Sequence, residues 1–207
     1  MRQITELPSV FERYRGIGGV LEFAVFDGSV GSEDEHLEAI RAVIPAPFGL
    51  DAALLRDVGS RTIGLTEFLG KWCNPANGRL IRVGKWYGPE DLEFDDPELV
   101  SLEGIPGEGG VYFPPDPGSG GQFAYAFQCP PGSLKAGPLE VQTLFDTIYA
   151  FLLPQGEEAE IRDWSSPELD AVSDWFASGV DGWGMFLFTI HCKGSGRLCA
   201  IAAASDY

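Results

Sequence analysis

Carboxylates are the side chains of this sequence whose number and spacing could do chemistry. Residues 88–116 hold nine Asp and Glu and not one Lys or Arg. Acidic groups at this density could coordinate a hard cation, transfer protons, or bind a cationic partner. Adjacent acids in a turn are also commonly just solvated, so both a functional and a solvated acidic loop stay open.

Histidine and cysteine give less support for catalysis. His36 follows Glu35 in a predicted helix, where we expect it to be exposed to solvent, and His191 ends an apolar strand as a satisfied or edge-exposed side chain. Neighbours on a strand point to opposite faces, so His191 cannot activate Cys192. Four cysteines without C-x-x-C spacing predict reduced, mostly buried thiols.

A terminal hairpin predicts where two of those cysteines lie. Pairing around residues 193–196 sets Cys192 opposite Arg197 and Cys199 opposite Ile190, with the α-carbons of the two cysteines too far apart for an easy disulfide.

Nucleophile and phosphate motifs do not match. G-x-S-x-G is absent, and residues 16–19 lack both the lysine and the strand-before-helix order of a nucleotide loop. The enzymatic alternative is a metal-assisted hydrolase that uses some of four carboxylates together with a histidine. These residues are Glu90, Asp91, Asp95, Asp96 and His191.

Aromatic residues are interleaved with the acidic run, and this mixture is typical of protein-binding surfaces. Aromatic anchors bury large area at small entropic cost, while a carboxylate rim steers a basic partner. A second acidic region at 157–181 carries Trp164 and Trp175, with Trp183 just beyond it. The predicted partner-binding residues are Trp86, Tyr87, Glu90, Asp91, Glu93, Phe94, Asp95, Asp96 and Glu98.

The net charge of −17 over 207 residues limits the classes of binding partner that we expect. Binding to nucleic-acid phosphates or to anionic membranes is disfavoured, and a basic protein, a polyamine or a divalent metal is favoured. No signal-peptide-like or membrane-spanning apolar run is present, so we expect a cytoplasmic protein. Nothing in the sequence indicates a cofactor.

Helix signals are strong at three places. Ser32 and Glu35 have capping-box spacing before a helix over 32–43, and Pro138 opens an amphipathic helix that ends before Pro154. Ser166 starts a third helix that ends before Gly179. Shorter helices are expected near 6–15, 51–58 and 65–71.

Strands are predicted at 20–26, 185–192 and 197–204, with weaker ones at 79–83, 110–113 and 122–127. Glycine and proline total 42 residues and concentrate between about 74 and 138, which predicts a loop-rich middle. The pattern predicts one α+β domain over 1–207, with an antiparallel or mixed sheet packed by helices on one face.

The stretch from Asp174-Trp175-Phe176 through residues 181–190, followed by residues 202–206, resembles the helix, tight turn and terminal hairpin of SUKH-like and related immunity proteins of bacterial polymorphic toxin systems. The resemblance implies non-enzymatic neutralisation of a cognate toxin, without a metal or cofactor. Charge suggests that this toxin is basic. An acidic nucleic-acid mimic that blocks a DNA-binding protein is the further alternative.

Overall fold

The computed structural model describes residues 1–70, 72–74, 77–80, 86–87, 93–94, 122–180 and 183–205. Its α-helices are α1 (Ser9–Gly16), α2 (Glu33–Val43), α3 (Ala52–Val58), α4 (Leu65–Leu69), α5 (Phe123–Gln128), α6 (Pro138–Leu152) and α7 (Leu169–Val172), and a 3₁₀-helix covers Asp174–Gly179. Its strands are β1 (Arg2–Ile4), β2 (Glu22–Asp27), β3 (Arg61–Ile63), β4 (Trp86–Tyr87), β5 (Glu93–Phe94), β6 (Ala159–Asp163), β7 (Gly184–Cys192) and β8 (Arg197–Ser205).

Six strands form one antiparallel sheet in the order β1-β2-β8-β7-β6-β3. The β7–β8 hairpin lies at its centre and pairs Ile190 with Cys199 and Cys192 with Arg197, which confirms the predicted register. The expected α+β class is therefore confirmed, and all strand pairs of this sheet are antiparallel.

Helices cover both faces of the sheet, so the expectation of one covered face was wrong. Alternate residues of β8 divide between two apolar clusters: Cys199 and Ile201 pack with α1, α4, α5 and α6, whereas Leu198 and Ala200 pack with α2, α3, α7 and the 3₁₀-helix. We call these the α6 face and the α2 face. Because helices cover both faces of the sheet, β7 is buried throughout. A strand that is buried on both sides is apolar at nearly every position, which explains the apolar sequence of β7.

Local capping signals set the helix starts. The Ser32 hydroxyl accepts a hydrogen bond from the Glu35 amide, and the Glu35 carboxylate accepts from the Ser32 amide, completing the predicted capping box at α2. Pro138 occupies the first turn of α6, and the Asp51 carboxylate accepts from two amides at the start of α3.

Two predicted elements take another form. The helix expected from Ser166 is interrupted at Ser173, whose extended backbone separates α7 from the 3₁₀-helix. The strand expected at 122–127 is the helix α5, in which all six residues are buried. Alternation there is between large aromatic and small alanine side chains, not between buried and exposed positions, so the period-two pattern was misleading.

Candidate functional site

The acidic–aromatic segment over residues 86–98 contains a short antiparallel ladder. β4 and β5 pair Trp86 with Phe94 and Tyr87 with Glu93, so these four predicted partner-binding residues are adjacent along the backbone. The remaining five, Glu90, Asp91, Asp95, Asp96 and Glu98, lie outside the described residues, as does the strand expected at 110–113. Of the strand expected at 79–83, Leu80 forms a bridge with Cys73, and residues 81–83 are not described.

The histidine expected on the surface of α2 is buried. His36 has no exposed surface, because it lies on the same helical stripe as Ile40 and Val43, which face the sheet. The expectation of an exposed side chain was therefore wrong. Its spacing of four and seven residues from those apolar positions was the signal that could have revealed this.

A buried polar cluster surrounds His36 on the α2 face. Its Nδ1 lies 2.7 Å from the Thr189 Oγ1, and the Trp164 indole N–H donates to the same hydroxyl oxygen at 2.9 Å. An indole can only donate, so the Thr189 hydroxyl oxygen accepts from Trp164 and links that indole to the His36 ring, whose second nitrogen is Nε2. That Nε2 is buried without a hydrogen-bond partner.

Burial also determines the charge state of His36. Desolvation, assisted by the Arg162 guanidinium, lowers its pKa to about 4 against the opposing effect of Glu160. Strand pairing places both groups nearby, because Arg162 is opposite Thr189 and Glu160 is opposite His191. The imidazole is therefore neutral around neutral pH, and this cluster is suited to holding α2 on the sheet.

His191 is packed against the loop that leads into α2. Its Nε2 is 3.3 Å from the Ser29 carbonyl oxygen, and its ring lies 6.4 Å from that of His36. A Cβ on Gly31 would be 2.4 Å from the His191 Nδ1, so the backbone directly abuts the ring. The side chain is 7% exposed, which confirms the expectation of a satisfied strand histidine.

The cysteines are thiols protected from solvent. None forms a disulfide and all four are buried, as predicted. Burial raises the pKa of the Cys73 thiol to about 11 and that of Cys199 to about 12, and it raises the pKa of Cys192 as well. These three groups remain protonated around neutral pH and are poor nucleophiles.

Most of the described tryptophans belong to the core. Trp72, Trp164 and Trp183 are buried, and the Trp183 indole donates to the Cys129 carbonyl. Trp175 is partly buried and packs edge-to-face on Phe176. In the second acidic region Trp175 is therefore partly accessible, whereas Trp164 and the adjoining Trp183 belong to the core.

Many basic side chains of the described residues are paired with carboxylates of the same chain. Six basic side chains are held by carboxylates of the same chain, and the exposed members of such pairs are only weakly stabilising. The pairs are Arg13–Glu140, Arg15–Glu22, Arg56 with Glu33 and Asp34, Arg61 with Glu67 and Asp163, Arg162–Glu160, and Lys193–Glu158. The chain has 14 Lys and Arg against 31 Asp and Glu, and these intramolecular pairs already engage six of the basic side chains.

Two properties of the described residues concern metals and membranes. Among them, no three His, Cys, Asp or Glu side chains are grouped so that they could hold a metal ion. In the same part of the chain, no helix has the length and apolarity needed to cross a bilayer.

Comparisons with protein-family models, with curated proteins and with solved structures gave no match to this chain.

Proposed function

We propose that this protein is a non-enzymatic inhibitor of the immunity type, which binds and neutralises a basic protein toxin. Its contact surface is the acidic–aromatic segment over 86–98, where the β4–β5 ladder holds Trp86, Tyr87, Glu93 and Phe94 adjacent along the backbone. A carboxylate-rich surface of this kind occupies the place that phosphate takes on an enzyme acting on nucleic acid.

The observation that carries the proposal is the surplus of carboxylates. Nine acids in 88–116 have no basic residue within the segment, and six basic side chains elsewhere already pair within the described fold. Like charges kept together destabilise a folded chain, and a basic partner relieves that repulsion on binding. The acidic segment is therefore suited to a cationic surface.

Burial of the usual nucleophiles and bases supports a binding role over an enzymatic one. His36 is enclosed and has a lowered pKa, the His191 ring lies against the backbone of the Ser29–Gly31 loop, and the cysteines are buried. These groups are occupied in packing. Reduced cysteines also accord with a reducing compartment, and we propose that the protein acts in the cytoplasm.

Affinity capture tests the proposal. The full chain is immobilised and exposed to lysate of its source organism at low and at moderate salt, and bound proteins are identified by mass spectrometry. The expected result is one basic protein whose recovery falls as salt rises. Recovery of no specific protein at either salt would count against an inhibitor.

Paired charge variants then locate the contact surface. Asp95→Asn with Asp96→Asn removes two charges from the acidic segment, whereas Glu38→Gln with Asp57→Asn removes two exposed charges from α2 and α3. We expect the first pair to slow association several-fold at low salt and the second to leave it nearly unchanged. Equal association rates for both would show that the segment is not the contact surface.

Two rival functions are separated by simple measurements. A metal-assisted hydrolase that uses Glu90, Asp91, Asp95, Asp96 and His191 would show saturable heat on titration with divalent metals, which the inhibitor would not. A nucleic-acid mimic would be captured with a DNA-binding protein instead of a toxin, so partner identity distinguishes it.

A further inference from the structure

A groove with an apolar floor lies between α4 and α6. It consists of two adjoining cavities of about 360 and 330 Å³ that share Leu65 and Tyr149. The first lies above Leu69 and Phe145, and the second continues past Leu153 to Ile161 at the end of the sheet where β3 is the edge strand.

The groove has an apolar floor and a prominent exposed leucine. Leu69, Phe145 and Ile161 are nearly buried and form the floor, whereas Leu65 is 46% exposed and stands between the two cavities. Exposed apolar surface in a concave site marks a place where another apolar side chain can be buried.

The charged side chains among the described residues that line the groove have one sign. Among the described lining residues the charged side chains are Asp146 and Glu157, at opposite ends of the groove. Asp146 is exposed and accepts a hydrogen bond from the Gln142 amide, and Glu157 accepts from the amide and hydroxyl of Ser195. These bonds fix both carboxylates at the rim, where they attract a cation.

We infer that this groove binds a segment of a basic protein in which apolar side chains are flanked by lysine or arginine. The apolar residues pack against Leu65 and Tyr149, and the flanking cations meet Asp146 and Glu157. The chain's own 88–116 segment and a second copy of the chain are poorer occupants, because both bring further negative charge to an acidic rim. The inference rests on the groove alone, so its failure leaves the inhibitor proposal standing.

Three labelled hexapeptides provide the probe. One has a central Leu-Phe between two pairs of lysines, the second has the same centre between pairs of glutamates, and the third has Ser-Ser between the lysines. Binding to the full chain is followed by fluorescence anisotropy at low salt. We expect the lysine-flanked Leu-Phe peptide to bind at least about tenfold more tightly than either of the others.

Matched variants place the binding. Leu65→Asp puts a charge in the groove, and Leu139→Asp puts the same charge on α6 at a leucine that is 65% exposed and does not line it. We expect Leu65→Asp to weaken the lysine-flanked Leu-Phe peptide about tenfold and Leu139→Asp to leave it within about twofold.

Three results would overturn the inference. Equal binding of the Ser-Ser peptide would mean that only charge is recognised, and equal binding of the glutamate-flanked peptide would mean that charge has no part. A dimer that sedimentation detects and that Leu65→Asp dissociates would assign the groove to a second copy. Circular dichroism of both variants confirms that each is folded.

Discussion

Acidification should destabilise this protein well above the pH at which carboxylates titrate, because His36 is buried as a neutral imidazole. Its pKa is lowered from 6.5 to about 4 in the folded chain. Between these values the unfolded chain binds a proton that the folded chain does not. The contribution of His36 is therefore complete above pH 6.5 and is lost as the pH falls toward 4.

The size of the effect follows from that difference. A shift from 6.5 to about 4 corresponds to about 3 kcal/mol at full effect. Between about pH 7 and about pH 5 the free energy of unfolding should fall by about 2 kcal/mol from this group. Glu35 and Glu160 contribute little over this interval, because the ordinary pKa of 4.5 already lies below it. In the folded chain the pKa is lower still, since hydrogen bonds outweigh burial at Glu35 and the Arg162 hydrogen bond acts on Glu160.

Urea unfolding followed by tryptophan fluorescence measures this at both pH values. The comparison variant is His36→Gln, whose side-chain amide can either accept from or donate to the Thr189 hydroxyl but does not titrate. We expect the variant to be less stable at neutral pH and to lose about 2 kcal/mol less than the natural sequence on acidification. Equal losses in the two chains would refute the reasoning.

Two more predictions come from the same face and from the cysteines. Gly31→Ala should cost at least about 2 kcal/mol more than Gly28→Ala, because both glycines have φ near +75° but only Gly31 would place its Cβ against the His191 ring. Denaturant midpoints measure the difference, and equal costs would mean that the loop can move away from His191. The four thiols should resist a thiol-specific reagent in the folded chain and react fully in denaturant, since burial raises the pKa of Cys73 and Cys199. Rapid labelling of any one in the native chain would contradict its buried position.

Helix boundaries were accessible from sequence where a short-range signal decides them. The Ser32–Glu35 pair and Pro138 act within one turn, so their effect does not depend on the remainder of the fold. Strands β7 and β8 were recognisable because both are continuous apolar runs, and the short turn between them fixed their register.

Other features depended on contacts between distant residues. Phe123, Tyr125 and Phe127 alternate in sequence, but α5 is enclosed on all sides, and only tertiary packing distinguishes a buried helix from a half-buried strand. The hydrogen-bond partner of His36 is Thr189, which also accepts from Trp164, and both residues lie more than a hundred positions from His36 in the chain. The acidic run was visible at once from its composition, whereas which of its carboxylates converge in space is not a property of sequence spacing.

The central hairpin has a consequence for how the chain folds. β2 is complete by residue 27, yet its inner neighbour is β8, and β6 likewise pairs inward with β7. Neither β2 nor β6 can form its inner ladder of hydrogen bonds until residues 184–205 have been synthesised. Until then the inner edge of each strand is unpaired. Pairing of Ala24 with Ala200 closes a loop of most of the chain, and such distant pairing slows folding. Formation of the β7–β8 hairpin is therefore the event that joins the two halves of the sheet.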